Sequence, residues 1–199
     1  MSSDSDIQFV DAIDAQGQGL FVSFPRRGDR FGHVVSVVSG EEIRPCLVSL
    51  EGDDAEPWPD SPPIQQLSVE QRPAGAVALG VGQAGKSHWS VTVETFSQER
   101  RIDFHVACRM KIHPAQISSR YANLLGGDVQ PQRLDDYAWV WNAGSVDGRK
   151  LELQMRQSLF DHYPAPEFPA DGSGVEINAA VDQMPFPKTI EWRYSFQLA

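Results

Sequence analysis

The chain has 199 residues, 41% of them hydrophobic, and a formal net charge of −10 at pH 7. This charge disfavours nucleic acid and anionic membranes as partners, because both bind proteins through clustered Lys and Arg. No apolar run approaches the roughly 20 residues of a membrane span, and the first residues lack the basic-then-apolar pattern of a secretory signal.

Period-two alternation of apolar and polar residues predicts β-strands along most of the chain. In chain order the candidates are residues 6–12, 20–24, 33–38, 43–50, 64–70, 76–79, 88–96, 101–112, 137–141, 151–155 and 190–198. The last is the clearest, with Trp192 and Tyr194 on one face and Arg193 and Ser195 on the other. This pattern predicts an all-β, mainly antiparallel fold, either a β-sandwich or a β-barrel of about ten strands.

One short connecting helix is predicted at residues 114–125. Pro114 suits the first position of a helix, and Ile117, Tyr121 and Leu124 form a stripe at helical spacing. Gly126 follows at the point where such a helix would end. We therefore expect this segment to be the helical exception within a β-rich chain.

The two cysteines, Cys46 and Cys108, both lie inside strand-like runs. A disulfide framework is not indicated, although a single bridge between the two remains open at this stage. The five histidines do not form the spacings that are typical of metal ligands, such as H-x-H or H-E-x-x-H. We expect neither a metal nor another cofactor.

Residues 80–87 match the phosphate-binding pattern G-x-x-x-x-G-K-[ST] at every position. In a true P-loop the chain then enters a helix, whose N-terminal end faces the phosphates. Here the run 88–96 alternates between apolar and polar residues, which predicts a strand instead. We therefore do not expect a P-loop NTPase. Lys86, Ser87 and His88 remain candidate ligand-binding residues, because glycines allow a ligand close to backbone N–H groups.

The runs 88–96 and 101–112 are predicted to form a β-hairpin with its loop at residues 97–100. In this register the facing pairs are Phe96 with Arg101, Glu94 with Asp103, Thr92 with His105, and His88 with Arg109. Side chains of such pairs stand about 5 Å apart and can interact. The hairpin would therefore collect most of its polar side chains on one face.

This polar face carries the residue types of a hydrolase: a potential nucleophile in Ser90, a base in His105, and carboxylates in Glu94 and Asp103. Arg109, with His88, would suit an anionic ligand. The alternative interpretation is a solvated sheet face on which mixed charges have no catalytic role.

Aromatic residues provide a second candidate binding site. Tyr137, Trp139 and Trp141 share one face of a predicted strand and would form a platform for a sugar ring or an apolar ligand. The alternative is that these large rings face the core, as alternating aromatics usually do.

Together these features predict an acidic, cytoplasmic, single-domain protein over residues 1–199, with residues 1–6 disordered. Its leading function is a binding or interaction module for a small-molecule or protein ligand of unknown identity, without a nucleic-acid or membrane partner. A hydrolase that uses the hairpin face, and an oligomeric structural protein, are the alternatives.

Overall fold

The structure, a computed structural model, describes residues 7–53, 55–73, 75–126, 129–146, 149–157, 164–169, 171–181 and 185–199. Within these residues the chain forms sixteen strands, which are β1 (Gln8–Ile13), β2 (Gln18–Phe24), β3 (Arg26–Arg27), β4 (Arg30–Phe31), β5 (Val34–Ser39), β6 (Glu42–Ser49), β7 (Gln66–Arg72), β8 (Gly75–Ala84), β9 (Ser87–Phe96), β10 (Arg101–Met110), β11 (Ser118–Asn123), β12 (Gln132–Asp135), β13 (Ala138–Val146), β14 (Arg149–Gln157), β15 (Gly174–Asn178) and β16 (Lys188–Leu198). A 3-10 turn at Ser97–Glu99 joins β9 to β10. The predicted disordered residues 1–6 lie outside the described part.

Two large antiparallel sheets form a β-sandwich. The six-stranded sheet has the order β1-β2-β5-β6-β11-β15, and the eight-stranded sheet has the order β12-β13-β14-β16-β10-β9-β8-β7. A small ribbon of β3 and β4 stands apart from both. The all-β, antiparallel prediction is confirmed, and of the two predicted architectures the structure adopts the sandwich.

The core lies between the two sheets, where the predicted alternation places its apolar residues. Along β16 the residues Ile190, Trp192, Tyr194, Phe196 and Leu198 are all buried. Tyr121 of the opposite sheet packs edge-on against Phe196, with 5.5 Å between ring centroids. Both sheets contribute to the same hydrophobic cluster, so the outer faces are left for polar side chains.

A chain of polar side chains crosses this core. The Nε2 atom of His33 lies 2.7 Å from the hydroxyl oxygen of Tyr121, which lies 2.7 Å from that of Tyr194. The indole N–H of Trp192 donates to the Ser119 hydroxyl at 3.1 Å. All five residues are buried, and they belong to both sheets, so their hydrogen bonds help to fix how the sheets face each other.

The helix predicted at residues 114–125 is wrong. Residues 118–123 form β11, which pairs with β6 on one side and β15 on the other. The predicted helix would have buried Ile117, Tyr121 and Leu124 on one face. Ile117 and Tyr121 are buried, but Leu124 is 47% exposed. The described residues contain no helix with the length and apolarity that a membrane crossing needs.

Cys46 and Cys108 are free thiols that lie in different sheets, on β6 and β10. Burial raises the pKa of Cys46 to about 11 and that of Cys108 to about 12. Since a thiol reacts as the thiolate, both groups behave as small apolar core residues near neutral pH. The bridge that the sequence left open is not formed.

Candidate functional site

The glycine-rich segment 80–87 forms the turn of a β-hairpin. β8 continues to Ala84, Gly85 and Lys86 make a two-residue loop, and β9 begins at Ser87, so the strand predicted after Ser87 is confirmed. Gly85 has a φ of +55°, which glycine adopts readily in such loops. A Cβ on Gly82 would overlap the carbonyl oxygen of Pro63. The fold thus explains two of the three glycines of the motif, Gly82 and Gly85, without a role in phosphate binding.

The next hairpin, β9–β10, has the predicted register. Glu94 pairs with Asp103, Thr92 with His105, and His88 with Arg109. The same residues extend into longer rows because β10 also pairs with β16, and β16 pairs with β14. The polar face of the hairpin is therefore one half of a wider outer face of the eight-stranded sheet.

A concavity of about 470 Å³ opens on this outer face. We call it the outer concavity. It is lined by Thr92 and Glu94 of β9, Arg101, Asp103, Phe104 and His105 of β10, Ala138 of β13, Gln154, Met155 and Arg156 of β14, and Arg193, Tyr194, Ser195 and Gln197 of β16. The outward-pointing members of this set are polar or small. The structure thus gathers three of the predicted catalytic residues, His105, Glu94 and Asp103, in one depression.

Side-chain length explains why the surface is concave at this point. Ser195 and Ala138 are short, and they belong to the same cross-strand row as Asp103 and Arg156. Neighbouring strands lie about 4.8 Å apart, so the short residues form a floor between longer charged side chains. The Ser195 hydroxyl, 3.5 Å from the carbonyl oxygen of Arg156, leaves most of this floor open.

Ion pairs hold the walls of the outer concavity. Arg101 donates from Nε to Asp103 at 2.8 Å, and its guanidinium lies 4.5 Å from the centre of the Phe96 ring. Arg156 donates to Asp135 at 2.9 Å. These two contacts have ordinary hydrogen-bond lengths, so Arg101 and Arg156 are oriented before any ligand arrives.

Asp103 has a raised pKa. Burial is the main cause, Arg101 opposes it, and the charges of Glu99 and Glu94 add to it. Glu94 stands directly opposite Asp103 on the neighbouring strand, and like charges in facing positions destabilise a sheet. Glu94 and Asp103 therefore place two like charges on the acidic side of the concavity, with Arg101 paired to Asp103.

His105 has a different partner from the predicted ones. Its Nε2 atom lies 3.0 Å from a carboxylate oxygen of Glu191 on β16, a residue 86 positions away in sequence. Ser90, the predicted nucleophile, stands opposite Ala107 and does not line the outer concavity. The structure therefore separates Ser90 from the carboxylates, and it adds Glu191 as the group that orients the imidazole.

The predicted ligand-binding residues near the β8–β9 turn lie at a different place on the sheet. Lys86 is exposed in the turn and Ser87 is buried, while His88 and Arg109 are exposed on the outer face. His88 is four residues from Thr92 along β9, a distance of about 13 Å in an extended strand. These four residues therefore do not belong to the outer concavity.

The aromatic residues of β13 lie mostly in the core. Trp141 is completely buried and Trp139 is 6% exposed, while Tyr137 is half-buried in the turn before the strand. The Trp139 ring packs against Phe168, with centroids 4.9 Å apart. Neither indole offers a free face for stacking a sugar, so the structure favours the core interpretation.

Comparison with known proteins indicates no function for this chain, so a function has to be inferred from the geometry of the site. No family model, curated protein or solved structure matches the chain. Within the described residues, no three His, Cys, Asp or Glu side chains stand close enough to hold a metal ion. The outer concavity is taken as the candidate site because it brings together three of the predicted site residues, Glu94, Asp103 and His105.

Several residues of this site were not predicted as site residues, namely Gln154, Arg156, Glu191, Arg193, Ser195 and Gln197. The sequence did place Glu191, Arg193, Ser195 and Gln197 on the polar face of the last strand. What it lacked was the pairing of that strand with β10 and β14, which joins residues far apart in sequence, such as Ser195 with Asp103 and Arg156.

Proposed function

We propose that the chain is a binding module whose ligand is a small polar molecule held in the outer concavity. The carrying observation is the shape and lining of this site: about 470 Å³ of space between oriented charged side chains. That volume is within the usual range of small-molecule sites, about 300–1,000 Å³. The serine and glutamine side chains on the floor and walls would supply neutral hydrogen bonds.

Thermal unfolding in the presence of polar compounds tests this proposal. The panel should include carboxylates, amines, amino acids, sugars and phosphates, with Mg-ATP and Mg-GTP as probes of the glycine-rich turn. A ligand that binds only the folded state stabilises it by about 2.7 kcal/mol when its concentration is a hundredfold above Kd. We expect shifts from small polar compounds and none from nucleotides.

Filling the outer concavity should abolish binding without affecting folding. Ser195→Tyr places a large side chain on the floor, and tyrosine suits a strand, so we expect a stability change within about 0.5 kcal/mol. The matched control is Thr189→Tyr, on the outer face of the same strand but outside the concavity. Calorimetric titration should show at least tenfold weaker binding for the Ser195 variant alone. Equal affinity in both variants would contradict the proposed site.

A hydrolase is the second candidate, and the pairing of His105 with Glu191 favours it. In such an enzyme Glu191 would orient the imidazole, which would act as a general base at the edge of the concavity. Ser90 is poorly placed to serve as the nucleophile, since it lies outside the lining. A water molecule would be the more suitable nucleophile for this arrangement.

Activity assays with His105→Ala separate the two functions. We expect no turnover of ester or phosphoester panels by the wild-type protein. The free energy of unfolding of the variant should lie within about 0.5 kcal/mol of the wild-type value, because the His105–Glu191 pair is exposed. The opposite result, wild-type turnover that falls by about 10²–10⁴-fold in the variant, would favour the hydrolase.

A further inference from the structure

The charges of the outer concavity are partly sorted by sign, with Arg101, which is paired with Asp103, as the exception. Along one cross-strand row the order is Glu94, Asp103, Ser195 and Arg156, on β9, β10, β16 and β14. Two carboxylates thus stand on one side of Ser195 and a guanidinium on the other. Arg193 is two residues from Ser195 along β16, so it adds a second cation beside the centre of the site.

Within the part of the chain that the structure describes, two of these charges form long ion pairs. The Glu94 carboxylate is 3.9 Å from Arg72, and the Arg193 guanidinium is 4.0 Å from Glu191. Both side chains are close to half exposed. Ion pairs of this length and exposure contribute little, so a ligand can compete with them at low cost. Glu94 lies on β9 and Arg193 on β16, with β10 between the two strands.

The mixture of signs discriminates against singly charged ligands. A simple anion that reaches Arg193 also meets Asp103, and a simple cation that reaches Glu94 also meets Arg101. A ligand with both charges, suitably spaced, satisfies the two sides at once. An ammonium group beside Asp103 and Glu94 would also relieve the repulsion between these facing carboxylates.

We propose that the outer concavity takes zwitterionic ligands, with the ammonium group beside Glu94 and Asp103 and the carboxylate beside Arg193 and Arg156. This inference rests on the proposed binding function. The spacing follows from the sheet: two strand separations lie between β9 and β16, about 10 Å at the backbone. Across this separation a ligand with charges several ångströms apart fits better than an α-amino acid.

NMR titration of the whole chain tests the charge requirement. The probes are 6-aminohexanoate, the zwitterion, and hexanoate and hexylamine, which each carry one of its charges on a similar chain. Glycine tests the spacing. We expect 6-aminohexanoate to perturb the amides around Ser195 with a Kd at least tenfold below those of the other three compounds.

Two variants assign the charges. Glu94→Gln should lower the affinity for 6-aminohexanoate to that for hexanoate, and Arg193→Gln should lower it to that for hexylamine. Arg109→Gln, on the outer face but outside the concavity, is the control and should bind as wild type does.

The possible outcomes separate this inference from the proposed function. If hexanoate, hexylamine or a neutral sugar binds around Ser195 as tightly as 6-aminohexanoate, the zwitterion inference is wrong and the binding site stands. If no polar compound perturbs these amides, both proposals fail. A tenfold preference that persists in both charge variants would also overturn the assignment.

Discussion

Gly82→Ala is expected to lower the free energy of unfolding by about 3 kcal/mol, the upper part of the range for an overpacked site. A Cβ at this position would overlap the Pro63 carbonyl oxygen and lie 3.2 Å from the backbone nitrogen of Gln65. The neighbour is backbone, so relief requires a shift of the 63–65 segment. That segment is tied to β8 by the hydrogen bond from Gln65 N to the Val81 carbonyl oxygen, 2.9 Å long.

Calorimetry of three variants measures this effect. With about 2–4 °C per kcal/mol for a chain of this size, Gly82→Ala should lower Tm by about 6–12 °C. Gly80→Ala is the matched control on the same strand. Its Cβ would meet side-chain atoms of Ile64 and no backbone atom, so we expect a smaller cost of about 1 kcal/mol. Lys86→Ala, in the exposed turn, should cost less than about 0.5 kcal/mol.

These variants also decide what the motif at 80–87 does. If the glycines of the motif are needed for packing, Gly82→Ala lowers the free energy of unfolding and Lys86→Ala leaves it nearly unchanged. A nearly neutral Gly82→Ala variant would contradict the close contact with Pro63. A stabilising shift from Mg-ATP that disappears in Lys86→Ala would restore a nucleotide-binding role to the segment.

The sequence predicted those features that depend on local pattern. The register of the β9–β10 hairpin follows from its short loop, and a strand face follows from alternation, as on β16. The polar half of the site on β9 and β10 could be predicted for the same reason. Its other half could not, because Arg156 and Ser195 reach it through strand pairings that no local pattern encodes.

The prediction of a helix at residues 114–125 was wrong for a related reason. The spacing of Ile117 and Tyr121 is compatible with one face of a helix, and here it coincides with two inward positions of a strand that follows a loop. The strand pairs with β15 over residues 118–122 and with β6 over residues 121–123. Such non-local contacts override a weak helical preference.

The second large effect concerns His33, whose ring is buried between the sheets. Burial and, to a smaller extent, the charge of Arg27 together lower its pKa from 6.5 to about 3. Between these two values the unfolded chain binds a proton at His33 and the folded protein does not. The free energy of unfolding therefore falls as the pH decreases from 6.5 toward 3.

Three partly buried carboxyls have the opposite effect on this pH dependence. Burial raises the pKa of Asp11, Glu51 and Asp103, so the folded protein takes up their protons at a higher pH than the unfolded chain does. Their contribution stabilises the folded state as the pH decreases. The wild-type profile is the sum of both trends, and a variant is needed to isolate His33.

His33→Gln provides that variant, because glutamine does not titrate and its amide can still form a hydrogen bond with the Tyr121 hydroxyl. The three carboxyls are present in both proteins, so the difference between the two profiles reports His33. Between pH 7.5 and pH 4.5 the free energy of unfolding should fall by about 3 kcal/mol more in wild type than in the variant. Urea unfolding followed by tryptophan fluorescence measures this difference.

Parallel profiles would mean that His33 is already protonated in the fold, or that the unfolded chain keeps it neutral. The first explanation would contradict a neutral imidazole at the end of the Tyr121–Tyr194 chain, and either one would exclude His33 as the source of acid sensitivity. A difference of the expected size would assign the acid sensitivity of the sandwich to one buried ring, since protonation there leaves a charge without water in the contact between the sheets.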